Sequence, residues 1–177
     1  MSSWVQSLDA TTLSLGLLVG RLVVGLGIAG HGSQKLFGWF GGNGLAGTAG
    51  YFESLGYRPG RLFATMAGLG EFTSGILIVL GLLGPVGPAL LLSVMIVAMQ
   101  QGYRNGFFAM NKGIELPLLY AAAGIALAFT GPGRFSLDSA LGLGGLSTPT
   151  VQVVALIVGV AGALGTFLVR RPAAVAH

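Results

Sequence analysis

The chain has 177 residues, 53% of them hydrophobic and 8% charged, with nine Lys/Arg against five Asp/Glu for a net charge of +4. Soluble domains carry about 25% charged residues, so this composition cannot cover a water-facing surface, and it is too apolar for a disordered chain. There is no cysteine, which removes disulfides, thiolate metal sites and iron–sulfur ligation. The basic residues lie scattered between apolar runs and form no stripe of the kind that nucleic acid requires. What remains is an all-α bundle of membrane-spanning helices in a lipid bilayer, with mean hydropathy +0.83.

Five apolar stretches follow in chain order. The first runs from about Leu13 to Gly32 and contains one charge, Arg21. No Lys or Arg precedes it, so it lacks the basic flank of a cleaved signal peptide and reads as an uncleaved helix. The second, about Leu62 to Leu83, contains Glu71. A turn rich in proline and glycine, Gly84-Pro85-Val86-Gly87-Pro88, separates it from the third, about Val86 to Gln101. The fourth, about Ile114 to Thr130, starts with Glu115 and has Pro117 in its first turn, where proline is tolerated. The fifth, Pro149 to Val169, is uncharged and ends on Arg170-Arg171. Many of the 32 glycines lie within spans, where small residues let helix backbones approach closely.

Loop charges set an orientation. Lys35, Arg58, Arg61, Arg104, Lys112, Arg170 and Arg171 fall on one side, and Arg134 alone on the other. By the positive-inside rule the N-terminus is outside and the C-terminus cytoplasmic, in the cell's inner membrane.

Charges inside spans are costly, so they face the bundle interior and find partners. On a helix turning about 100° per residue, Lys35 falls about 40° and His31 about 80° from Arg21, giving the first span a basic face. Counting depth from the span ends puts Arg21 with Glu71 near the midplane, and Glu115 with His31 or Lys35 at the inner mouth. Such pairs either fix helix register or form a functional site. Gln100 and Gln101 stand at the inner mouth, and Phe37, Trp39, Phe40, Phe107 and Phe108 read first as interfacial aromatics.

Arg21 and Gly25 are followed by His31-Gly32-Ser33-Gln34-Lys35-Leu36-Phe37-Gly38, then by Tyr51-Phe52-Glu53-Ser54-Leu55-Gly56 and Gly70-Glu71. Gly113-Ile114-Glu115 and Gly131-Pro132-Gly133-Arg134-Phe135-Ser136-Leu137-Asp138 complete the series. This ordered set resembles the DoxX family of small bacterial membrane proteins. The resemblance implies a four-helix membrane core over residues 12–140, preceded by a short extension (1–12), with an additional helix (149–169) and a tail (170–177) beyond it. It also implies a link to quinone-dependent or oxidative-stress redox chemistry.

The expectation is a subunit or partner of such a complex that carries no electrons itself, with no metal and no resident cofactor, and with a quinone as candidate ligand. Arg21, His31, Lys35, Glu71 and Glu115 form the candidate intramembrane site, and Arg134 and Asp138 an outer-loop motif. A redox partner protein and self-association are the expected contacts. The alternatives are an anchor for soluble enzymes and a small proton-linked transporter.

Overall fold

The computed structural model describes residues 3–170; Arg171 and His177 lie outside the described residues. Among these the chain is helical throughout, without strands. The long helices are α1 (Ser3–Phe37), α3 (Gly60–Leu80), α4 (Val86–Gly102), α5 (Glu115–Thr130) and α7 (Pro149–Leu168). Two shorter ones, α2 (Gly44–Ser54) and α6 (Leu137–Ala140), sit in connections. Four helical segments are long and apolar enough to cross a membrane: Ala10–Phe37, Gly60–Leu80, Val86–Asn105 and Pro149–Leu168. The protein is a multi-pass membrane protein.

α5 has only 16 residues, about 24 Å of helix, yet it traverses the bundle. Its N-terminal loop packs on the end of α4, where a Cβ at Gly102 would meet Gly113 O at 3.2 Å. Its C-terminal loop reaches the opposite end, where Pro132 O accepts from Arg21. The polar loops at either end supply the length the helix lacks.

Glycine sets how α1 lies on α3, the most extensive helix pairing in the molecule. A Cβ on Gly25 would stand 2.8 Å from Gly75 O, and one on Gly32 would stand 2.8 Å from Gly68 O. Only bare backbone permits this approach, and dispersion between the close-packed chains holds helices together where lipid supplies no hydrophobic drive. The same contacts fix the register. Gly25 faces Gly75, so Arg21 comes level with the last turn of α3, and Lys35 comes beside Gly68, within side-chain reach of Glu71.

The N-terminal part of α1 therefore overhangs the end of α3, and the helix is longer at both ends than the apolar stretch 13–32 suggests. The expected loop after the first span also differs, since residues 44–54 fold as α2. This helix packs on the first turns of α3, where Phe52, Tyr57, Phe63 and Ala64 form a small core of their own. The main core joins Ile28, Ile78, Leu91, Leu92, Met95 and Ala121 across α1, α3, α4 and α5.

α3 stops at Gly81, whose φ of 61° lies in the left-handed region. Leu82 N–H bonds to Leu77 O at 3.0 Å and Gly81 N–H to Ile78 O at 3.1 Å, the paired bonds that close a helix C-terminus around glycine. α7 lies along α4, and Gly159 permits their contact: a Cβ there would meet the backbone of Ala89.

Candidate functional site

Two polar clusters lie along the α1–α3 pair, one at an end and one near the middle of α3. At the end formed by the α3–α4 turn, Arg21 is 3% exposed and spends its guanidinium on backbone. Its Nε donates to Ile78 O at 3.1 Å, and Nη2 to Val79 O at 3.2 Å and Phe135 O at 2.7 Å, while Nη1 donates to Pro132 O. Ile78 and Val79 carry last-turn carbonyls of α3, at the negative end of the helix dipole, and Ile78 O also accepts from Gly81 N–H.

Asp138, 2% exposed, does the reverse for backbone donors. Its Oδ1 accepts from Leu83 N–H at 2.9 Å and Oδ2 from Gly84 N–H at 2.6 Å. Asp138 N–H donates to Gly81 O at 3.0 Å, and its charge acts on Arg21. Gly81 is required here twice over, by its φ and by the guanidinium that would lie 2.9 Å from a Cβ. Arg134 donates from Nη1 to Thr11 Oγ1 at 3.2 Å and from its backbone to Ser14 Oγ at 3.5 Å, tying the same loop to α1. A void of about 10 Å³ lies beside Arg21, barely enough for one water.

The second cluster is built differently. Glu71, eleven residues into α3 and 4% exposed, receives both bonds from Lys35 Nζ, at 2.8 and 2.7 Å. The Lys35 side chain is 30% exposed against 6% for Glu71. Glu71 stands about 16 Å along a helix of about 30 Å, hence near mid-depth.

This ion pair forms a wall shared by two cavities. The larger, about 400 Å³, has Leu90, Ser93, Val94, Val97, Ala98 and Gln101 of α4 as its floor. Phe63, Met66 and Ala67 of α3 form one bank, Gly162 and Thr166 of α7 the other, and Tyr51 and Phe52 of α2 its inner end. The smaller, about 200 Å³, lies on the other side between α1, α4 and α5 and is lined by His31, Tyr120, Met95 and Pro117. His31 Nδ1 lies 3.2 Å from Gln34 Oε1, and its ring meets Tyr120 edge-on with centroids 6.1 Å apart.

Burial pushes the Tyr51 phenol up from its ordinary value, which keeps it a neutral hydrogen-bond donor beside the larger cavity. Tyr57, behind it, is also raised by burial, with the Arg170 guanidinium over its ring pulling partly back. Arg170 Nε donates to Leu55 O at 2.7 Å, and Tyr57 Oη to Gln100 Oε1 at 3.1 Å. These bonds fasten the ends of α7 and α4 to the α2–α3 connection.

The structure thus brings His31, Lys35 and Glu71 together and separates Arg21 from them. The expected Arg21–Glu71 pair is replaced by Lys35–Glu71, because α1 slides outward on its glycines and Arg21 meets the end of α3. Glu115 joins neither His31 nor Lys35. Its Oε2 accepts from Ala109 N–H at 2.8 Å and closes the loop that precedes α5. Arg134 and Asp138 join Arg21 in the first cluster. Tyr51, Ser93, Tyr120, Gly162 and Thr166 escaped the sequence reading as site residues. Tyr120 alone carried a signal, a phenol within an otherwise apolar span.

No described side chains form a metal-binding group of three or more His, Asp or Glu. Every buried side-chain nitrogen or oxygen among the described residues has a partner. The fold and these clusters define a membrane-embedded helical bundle with a buried ion pair between two cavities.

The DoxX family profile matches residues 16–111, a little over half the chain. The protein belongs to the DoxX family. The matched stretch contains Arg21, His31, Lys35 and Glu71, and ends before Glu115, Arg134, Asp138 and the whole of α7. No curated protein and no solved structure matches the chain.

Proposed function

We propose that this protein is a quinone-binding membrane subunit of a redox complex, one that holds the quinone but carries no electrons. The observation behind the proposal is the cavity of about 400 Å³ that meets a buried ammonium–carboxylate pair at mid-depth. Small-molecule sites range over about 300–1,000 Å³ and are mostly apolar with a few convergent polar groups, and this cavity fits that description. Lys35 Nζ gives two of its three donors to Glu71, which leaves one for a quinone carbonyl. Gln101 offers an amide and Tyr51 a phenol on the same lining.

Glu71 anchors Lys35 and holds its charge in place, while Phe63, Val94 and Val97 exclude water and strengthen the hydrogen bonds made there. When bound, the quinone supplies the electron-accepting chemistry, and the electrons come from a redox partner protein. The chain has no cysteine thiolate for a cluster, and the described residues, with His31 their one histidine, hold no histidine pair for haem.

In this reading the end bearing Arg58, Arg61, Arg104, Lys112 and Arg170 faces the cytoplasm of the inner membrane, by the positive-inside rule. A reporter fused after His177 should be active only as a cytoplasmic fusion.

The test is solvent extraction of protein purified from membranes, followed by chromatography for quinone. Co-purified quinone that disappears in Lys35→Met and Glu71→Gln supports the reading. Its absence from the unmodified protein overturns it.

A second reading, an anchor for soluble enzymes, draws on the exposed Phe37, Trp39, Phe40, Phe107 and Phe108. Crosslinks from the 37–61 segment to a soluble protein, unaffected by Glu71→Gln, would favour it.

A further inference from the structure

The larger cavity is not closed on all sides. α3 and α7 each pack on α4 but not broadly on each other. α7 is fixed at two places: Gly159 lies against the Ala89 backbone, and Arg170 is bonded to Leu55 O. Between these fixings it stands off α3, and Gly162 and Thr166 face the cavity across from Met66. Met66 and Gly162 are exposed, and in a bilayer exposure at this height is exposure to lipid. A slot therefore leads from the acyl chains to the Lys35–Glu71 pair.

Gly162 is the informative residue on the slot. A Cβ built there meets only Ser93 Oγ, at 3.6 Å, an ordinary contact. Gly159, one turn earlier, is different: its Cβ would lie 2.5 Å from Ala89 O, so packing explains it. Packing does not explain Gly162, since alanine would fit and propagates a helix better. What glycine preserves there is the open width of the slot.

We infer that the ligand of this site is a quinone with an apolar chain, which reaches Lys35 sideways from the bilayer through the slot between α3 and α7, its chain passing Gly162. This inference rests on the quinone reading above. A cavity of about 400 Å³ lies at the small end of the range for ligand sites, enough for a ring and the start of a chain. A chain long enough to hold the molecule in lipid must trail outside. On the lining, Lys35, Glu71 and Gln101 supply charged and amide groups, Ser93 and Thr166 hydroxyls near the slot, and Met66, Leu90 and Val94 apolar surface. The bank formed by α7 lies beyond residues 16–111, the stretch that the family profile matches.

The experiment uses the full chain in phosphatidylcholine nanodiscs and two probes, decylubiquinone and the same ring without a chain. Gly162→Leu should weaken decylubiquinone by about tenfold or more while changing the chainless ring by less than about twofold, because an added side chain obstructs what must lie in the slot. Met66→Trp, on the opposite bank, should repeat that pattern, and it serves as the test if Gly162→Leu fails to melt like the unmodified protein. Binding of both probes that neither variant alters, or an equal loss of both, overturns the lateral route and leaves the quinone reading standing. No binding of either probe by the unmodified protein, or retention of phospholipid alone that neither probe displaces, overturns both.

Discussion

The two polar clusters of the α1–α3 pair each set a basic residue of α1 close to an acidic one, and they do opposite things with it. Arg21 gives four of its five guanidinium N–H groups to carbonyls of α3 and the loop after α5, Asp138 accepts from the amides of Leu83 and Gly84, and the void beside Arg21 is about 10 Å³. Lys35 and Glu71 are bonded to each other and stand between voids of about 400 and 200 Å³. A charge bonded to backbone on several sides, with about one water's volume beside it, is a fastening. A charge bonded to one side chain and facing unfilled space is where a ligand can bind. Charge and burial alone do not separate the two cases, whereas partner type and adjacent volume do.

The sharpest way to break this contrast is to remove one charge from each cluster. Arg21→Leu leaves carbonyls and Asp138 without their partner and should cost about 3–5 kcal/mol of stability, read as a lowered Tm in detergent. Arg21→Leu/Asp138→Leu should not recover it, since backbone groups on both sides stay unsatisfied. Recovery in the double variant would mean that the Arg21 cluster is an ordinary ion pair.

Lys35→Met should cost less, about 1–3 kcal/mol, because the orphaned Glu71 can take up a proton. Lys35→Met/Glu71→Leu should return to within about 1 kcal/mol of the unmodified protein, as swaps of a buried pair for apolar residues often do. Quinone retention should stay lost in that double variant, and retained quinone would detach the ion pair from binding.

Glu115→Ala removes a single charge-assisted bond to Ala109 N–H and should cost about 1.5–3 kcal/mol at most, with quinone retention unchanged. Smallest is Arg170→Ala, which frees Leu55 O and the Tyr57 ring at a cost of about 1 kcal/mol. It should show as faster proteolysis at the α2–α3 connection rather than as a change in binding.

The polar residues that matter were visible in the sequence because so few charges interrupt the apolar runs. Arg21 and Glu71 stand out in their spans, and His31, Lys35 and Asp138 lie in motifs that resemble the DoxX series. Their partners were not visible. Depth counted from the start of each hydrophobic run assumes that all helices begin at the same level, and α1 does not. Ser3–Phe37 is 35 residues long, and its overhang moves every side chain on it relative to α3. Nor did composition mark residues 44–54 as a helix, since four of its eleven residues, Gly44, Gly47, Gly50 and Ser54, carry little helix propensity. Its packing on α3 supplies the stability.

The sequence by itself determined the bilayer setting, the approximate spans and the gathering of basic residues at one end, because these follow from how much apolar or charged surface a segment carries. Only the tertiary structure decided which charges meet and where space is left. Those depend on how far one helix slides along another, and here backbone contacts at Gly25, Gly32, Gly75 and Gly159 set that distance.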